Sequence, residues 1–172
     1  MSLPPAEGKE NEAKSAALFE LIEQQPFFKG LKRPQLQLLT EAAMEMHFEE
    51  GQSLLQEGAP ANRFYLILEG KVGLELEVDA HGAKLLIQTL GVGDDVGWSW
   101  LFPPYSTHIG ARALEPTKTI FFYGTRLREQ CEQDHELGYQ LMKRIAEVAT
   151  ICLQATQQSL IACIDLKKIP NK

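Results

Sequence analysis

The chain has 172 residues, 44% of them hydrophobic and 23% charged, with a formal net charge of −6. That is the size and make-up of one globular domain with room for an appended helix. The negative balance argues against non-specific nucleic-acid binding, which needs Lys and Arg to neutralise phosphates. No apolar run approaches the ~18 residues of a membrane span.

The start, Met1 to Glu12, is polar and lacks the apolar centre of a secretory signal, so a cytoplasmic protein is expected. Three cysteines, Cys131, Cys152 and Cys163, are widely spaced and odd in number. They fit reduced thiols better than a disulfide framework or a metal site.

Residues 1–10 read as a disordered tail. From Asn11 to Gln25, Ala17, Leu18, Leu21 and Ile22 recur at helical spacing. Pro26 stops that helix, and Phe27 and Phe28 follow as aromatic anchors. Pro34 suits the first turn of a second helix, whose buried face is expected to run through Leu36, Leu38, Leu39, Ala42, Ala43 and Met46.

After His47 the period becomes that of strands. Turns marked by Gly51, Gly58, Gly70, Gly82 and Gly91 beat regularly through the chain, the signature of an all-β sandwich or barrel. Phe64 to Leu68 lacks polar alternation and is expected to be buried on both faces. Val72, Leu74, Leu76 and Val78 alternate with Gly73, Glu75 and Glu77, which predicts one wet face. Asp79 to Gly82 closes a hairpin onto Leu85–Leu90. Two more strands are expected over Thr107–Leu114 and Thr119–Tyr123, parted by Glu115-Pro116.

Helix returns at Thr125, a plausible N-cap, and Asp134 opens the longest element, to about Leu166. At ~1.5 Å per residue it is roughly 45 Å long, more than a small domain needs to cover its core. Leu141, Ile145, Val148, Cys152, Ala155, Ser159 and Ala162 form one stripe in 4-3 steps. Met142, Ala149, Leu153, Leu160 and Ile164 form another. One stripe can dock on the β-region and leave the other for a partner helix, so a parallel homodimer through residues 135–166 is expected.

The chain centres on Gly93-Asp94-Asp95-Val96-Gly97-Trp98-Ser99-Trp100, followed by Pro103-Pro104. Glycine at position 97 permits positive φ and close backbone approach. The free N–H groups of a turn opening there are a seat for an anion.

With this stretch in place, an ordered set of residues carries a family resemblance. It comprises Phe48-x-x-Gly51, then Leu55-x-x-Gly58-x-x-Ala61-x-x-Phe64-Tyr65-x-Ile67-Leu68-x-Gly70-x-Val72, then Leu90-x-x-Gly93-Asp94-x-x-Gly97, and Ala111-Arg112-Ala113. The chain resembles the cyclic-nucleotide-binding domain of the catabolite-activator (Crp/Fnr) type, from about Phe27 to Leu166. The resemblance implies an α+β fold: an antiparallel β-roll of the jelly-roll type with helices at both ends, over residues 11–133. A dimerisation helix over 134–166 and a tail over 167–172 complete the expected organisation. It also implies a phosphate-binding cassette opened by Gly97. Around that cassette the candidate ligand contacts of this sequence are Gly97, Trp98, Ser99, Trp100, Thr107 and His108.

Two departures bear on function. Cyclic-nucleotide binders of the family carry a glutamate after the cassette glycine, for the ribose 2′-hydroxyl; here that residue is Trp98. Their phosphate-pairing arginine falls, counted from Gly97, on Thr107. Arg112 matches a different, structural arginine, and alternation points it away from Thr107. Each charge-assisted bond is worth ~1.5–3 kcal/mol, so losing both weakens a nucleotide by roughly 10²-fold or more.

The expected function is therefore a stand-alone sensor domain that binds cAMP, cGMP or another small anionic ligand at a non-standard cassette and signals through its long helix. The alternative is a degenerate module that binds nothing there and serves as a dimerisation or protein-docking domain. Clustered His and carboxylate ligands and a nucleophile–base pair are missing from the pattern, so no catalytic or metal-binding residues are assigned and an enzyme is not expected. After Leu166 six residues remain, too few for a helix-turn-helix, so DNA binding by this chain alone is not expected.

Overall fold

The computed structural model describes residues 6–78 and 81–167. Helix α1 (Ala6–Glu23) ends before Pro26, and a 3₁₀ turn over Pro26–Phe28 buries both phenylalanines. Helix α2 (Arg33–Glu41) follows, with Pro34 in its first turn. Strands β1 (Ala43–Phe48), β2 (Ser53–Leu55), β3 (Arg63–Glu69), β4 (Val72–Glu77), β5 (Lys84–Leu90), β6 (Asp95–Val96), β7 (Gly110–Ala113) and β8 (Thr117–Tyr123) come next. Helices α3 (Gly124–Gln133) and α4 (His135–Lys167) close the chain.

All strand pairings are antiparallel, in two four-stranded sheets of order β1-β8-β3-β6 and β2-β7-β4-β5. Side chains alternate across a strand, and β3 and β8 use both faces. Tyr65, Ile67 and Phe121 join Leu54, Val72, Leu74 and Ala111 in a core shared by the two sheets. Phe64, Leu66, Ile120 and Phe122 turn the other way, into a core built with Ile22, Phe28, Leu39, Leu127, Leu141 and Ile145 of the helices. That division explains why Phe64–Leu68 shows no polar alternation: helices cover one face of the strand and the second sheet covers the other.

Several expectations are corrected. Residues 1–5 lie outside the described residues, but 6–10 already belong to α1 rather than to a tail. Helix α2 stops at Glu41, and Ala43 and Met46 lie in β1, paired along its whole length with β8 (Ala43 opposite Phe122, Phe48 opposite Thr117). Long-range pairing overrides the local helical spacing, and Leu38 is left exposed. The expected strand from Thr107 is confined to Gly110–Ala113, and α3 already starts at Gly124, with Tyr123 at the N-cap position without a side-chain capping bond and Thr125 inside the helix. The wet face of β4 is partly covered: Gly73 is buried under Leu86 and Leu114, and Glu75 pairs with Arg112 and Lys84. Asp79 and Ala80 of the expected hairpin turn lie outside the described residues, but Val78 N–H donates to the Ala83 carbonyl across it (2.9 Å).

Asp134 begins α4 as the sequence suggests. Its Oδ1 accepts from Leu137 N–H (3.0 Å) and its Oδ2 from Gln35 Nε2 (3.0 Å), tying α4 to α2. The Gln35 bond holds the Asp134 carboxyl below its ordinary pKa. Leu137, Leu141 and Ile145 are buried, Val148, Cys152 and Ala155 half-buried, and Ser159 and Ala162 exposed. The first stripe thus docks for about three turns and then leaves the body of the protein. Of the second stripe, Met142, Leu153 and Leu160 are exposed; the side chain of Ile164, like that of Cys163, lies outside the described residues.

Candidate functional site

The site grows from the junction of β6 with the chain that follows it. Gly97 has φ of 94°, and a Cβ there would come 2.5 Å from the Arg63 carbonyl oxygen and 3.1 Å from Leu55 Cδ1. Only glycine meets both the left-handed backbone and the close approach to β3. A single 3₁₀ turn over Trp98–Leu101 follows. Beyond it, Arg128 of α3 donates to the Trp100 carbonyl and stands 4.3 Å over the Tyr105 ring. Thr107 is held at both backbone groups: its N–H donates to the Ala59 carbonyl (2.8 Å) and its carbonyl accepts from Gly58 N–H (2.8 Å). The segment is therefore placed by contacts on both sides.

Between this segment, the second sheet and α4 lies a cavity of about 110 Å³. The sheets contribute mainly apolar walls, among them Leu55, Leu74, Leu90 and Val96. The cassette contributes Gly97, Trp98, Ser99, Thr107 and His108, and α4 contributes Val148, Ile151 and Cys152. Five of the six candidate contacts thus come together. Trp100 does not. It is fully buried in the helix-packed core, 6.0 Å from the Phe64 ring centroid, and outside the cavity lining. At 3.0 residues per turn, two steps of a 3₁₀ turn rotate a side chain by roughly 240°, so Trp98 and Trp100 diverge rather than share a face. Trp98 is half-buried and also packs against the helix-packed core.

Arg112 lies away from the cavity. Its Nε donates to Glu75 Oε2 (3.2 Å) and its Nη1 to the Gly51 carbonyl (2.7 Å). Among the described residues no Arg or Lys lines the cavity; its acidic residues are Asp94 and Asp95, with exposed His108 at the rim. Asp94 closes its own turn, Oδ2 accepting from Gly91 N–H (2.8 Å).

Several contributors were not assigned from the sequence. Of the α4 residues, Val148 and Cys152 sit on a stripe read there as a packing seam, and Ile151 lies on neither stripe. Gln88 stands opposite Leu74 in the β4–β5 ladder, so the two share a face. Asp95 reads locally as part of an acidic turn, yet it is 7% exposed and opposite Leu66, where the sheet meets the helix-packed layer. Burial pushes its carboxyl up to about 7, the charge of Asp94 adds to this, and its own backbone amide opposes it. The phase of Gln88 with buried Leu90 was the one local signal for any of these. Among the described residues no cluster could hold a metal ion.

Comparison with known proteins follows this geometry. The profile of the cyclic nucleotide-binding domain matches residues 45–134. A CRP-like cAMP-activated global transcriptional regulator of Mycobacterium tuberculosis is 24% identical over 127 residues, covering 74% of this chain. The chain spans about half the length of that relative (56%). Among solved structures, a protein of Geobacter metallireducens GS-15 described as cyclic nucleotide-binding superposes with a TM-score of 0.70 at 29% identity, over 78% of this chain and 96% of that one. The regulatory subunit of a cAMP-independent protein kinase A from Trypanosoma brucei superposes with a TM-score of 0.70 at 22% identity, over 88% of this chain and 53% of that one. Among the described residues no helix is long and apolar enough to cross a membrane.

Proposed function

This chain belongs to the cyclic nucleotide-binding domain family, and from that premise we propose that it is a ligand-sensing regulatory domain whose helix α4 reports occupancy of the cavity. One observation carries the reading: the cavity is closed on one side by Val148, Ile151 and Cys152, beyond the last fully buried position of α4, Ile145. A volume of about 110 Å³ is below the ~300 Å³ at the small end of ligand pockets. A ligand therefore enters by displacing that wall, and the free energy of its contacts is coupled to the position of α4. Such a shift requires different affinities for the two positions of the helix.

The family gives cAMP or cGMP as the first ligands to test. The site differs from a strong nucleotide seat, with Trp98 and Thr107 where a glutamate and an arginine serve the ribose and phosphate. The trypanosome relative, whose kinase is named for its independence of cAMP, supports a regulatory role for a pocket with other requirements. The exposed apolar residues Leu153, Leu160 and Ile161 on the projecting part of α4 support a homodimer through this helix, which carries the signal between copies or to a protein partner.

The test is calorimetry with cAMP and cGMP on the unaltered protein and on Thr107→Arg/Trp98→Glu, with amide hydrogen exchange of α4 followed in parallel. The restored variant is expected to gain roughly 10²-fold in cyclic-nucleotide affinity, and any ligand that binds is expected to change exchange over residues 148–156. A ligand that saturates the cavity and leaves exchange in α4 untouched would sink the sensor reading.

A further inference from the structure

The cavity beneath α4 has walls that hold water poorly. Leu74, Leu90, Val96 and Ile109 line it from the β-region, Val148 and Ile151 from the helix, and Trp98 from the cassette. Water settles in a cavity that offers it several polar partners, whereas an apolar one stays dry. Polar groups of this lining are already engaged. Thr107 donates its N–H to the Ala59 carbonyl and accepts from Gly58 N–H, and Asp94 closes its own turn onto Gly91. Among the described residues no Lys or Arg lines the cavity. A charged group brought there loses its hydration, an anion finding no cation and an ammonium only a carboxylate already bonded, which is the least favourable form of burial. Size narrows the occupant further. The volume of about 110 Å³ is about three-quarters of the ~150 Å³ of an engineered apolar cavity that takes up benzene or xenon.

Resting on the sensor reading above, we propose that the cavity takes an uncharged hydrophobic molecule the size of a single six-membered ring, in place of a phosphate-bearing or sugar-bearing ligand, and that its binding fastens α4 to the β-region. The lining of a void lacks partner atoms on its open side. A ring placed there supplies them to Val148, Ile151 and Cys152, all beyond Ile145, the last fully buried residue of the helix. Ile151 is 57% exposed although it lines the cavity, so it stands at the mouth. A brief swing of the helix there admits the ring, and the helix closes again over it. A bulkier ligand holds the helix away from the strands. The direction of the response in α4 therefore follows the size of the ligand.

The experiment is a methyl NMR titration of the whole chain with benzyl alcohol, with benzoate and benzylamine as its anionic and cationic counterparts, and with naphthalenemethanol as the two-ring analogue. Amide hydrogen exchange of α4 is followed at each end point. Benzyl alcohol is expected to bind tenfold or more tightly than the other three, to shift the methyl signals of Leu74, Leu90, Val96 and Ile109, and to slow exchange over residues 148–156 severalfold. Ile109→Phe and Val148→Phe put a ring into the space from either side, and each, checked by thermal unfolding to be folded, is expected to weaken benzyl alcohol tenfold or more. Where a variant does not fold, the panel on the unaltered chain decides. No binding of benzyl alcohol at millimolar concentration, equal or tighter binding of a charged counterpart or of the two-ring analogue, shifts confined to methyls outside the lining, faster exchange in α4, or an affinity unchanged in both folded variants would each overturn the proposal. The two readings separate. Benzyl alcohol in the cavity with α4 exchange unchanged keeps the ligand class and removes both the sensor and the fastening of the helix. A cyclic nucleotide that changes α4 exchange while benzyl alcohol does not bind keeps the sensor and removes this ligand class.

Discussion

Gly124, the first residue of α3, lies against Trp100: a Cβ built on it would come within 2.5 Å of the Trp100 Cβ and 3.2 Å of the Asn62 Cα. The same glycine donates its N–H to the Asn62 carbonyl (2.8 Å). This contact locks the end of β8 onto the cassette turn, and it explains why the indole of Trp100 is committed to the core.

Gly124→Ala is therefore expected to destabilise the protein by about 1–3 kcal/mol, the usual cost of overpacking a filled site. Thermal or urea unfolding measures it. An unchanged midpoint would show that the Trp100 turn gives way freely.

Arg112 offers a contrast. Its guanidinium joins Glu75 to the Gly51 carbonyl outside the cavity, so Arg112→Ala is expected to lower stability by about 1–3 kcal/mol, as for a lost hydrogen bond to a charged group. Ligand affinity, measured by calorimetry well below the unfolding temperature, is expected to stay within a factor of two or so. A selective loss of affinity for phosphate-bearing ligands would give Arg112 a role in the site.

Asp95 makes stability depend on pH in a defined direction. Its folded pKa, about 7, lies above the ordinary 3.8, so the native state binds the proton more tightly than the unfolded chain. Its contribution to stability is complete below pH 4 and is lost as pH rises to 7. The loss is on the order of 4 kcal/mol at most. Asp94 beside it, with His108 and Cys152 at the same cavity, are the other titratable groups of that lining. Asp95→Asn is expected to raise the unfolding temperature at pH 8, to leave it nearly unchanged at pH 4, and to flatten the profile between. Parallel profiles for the two proteins would refute this account of the buried carboxyl.

The projecting part of α4 is expected to hold two copies together. Leu153→Asp/Leu160→Asp puts charges on an apolar row and is expected to turn a dimer into a monomer in sedimentation velocity, with unfolding of the β-roll little changed. A monomeric unaltered protein at tens of micromolar would remove the dimer from the scheme.

The sequence by itself determined the order of elements wherever the signal was local. Pro26 ended a helix, Asp134 began one, Gly97 marked the left-handed turn of the cassette, and the apolar run at Phe64–Leu68 announced a strand covered on both sides. These features depend on backbone sterics, capping and side-chain periodicity, which act within a few residues. The tertiary structure decided what depends on distant partners. Ala43–Phe48 became a strand because β8 offered a full ladder, and Trp100 turned from the ligand side to the core because a 3₁₀ turn separated it from Trp98. Gln88 and Asp95 joined the lining of a cavity because Leu74, Leu90 and the middle of α4 packed beside them. Burial of a polar atom is a property of everything packed against it, and residues so far apart in the chain leave no trace of that in its local pattern.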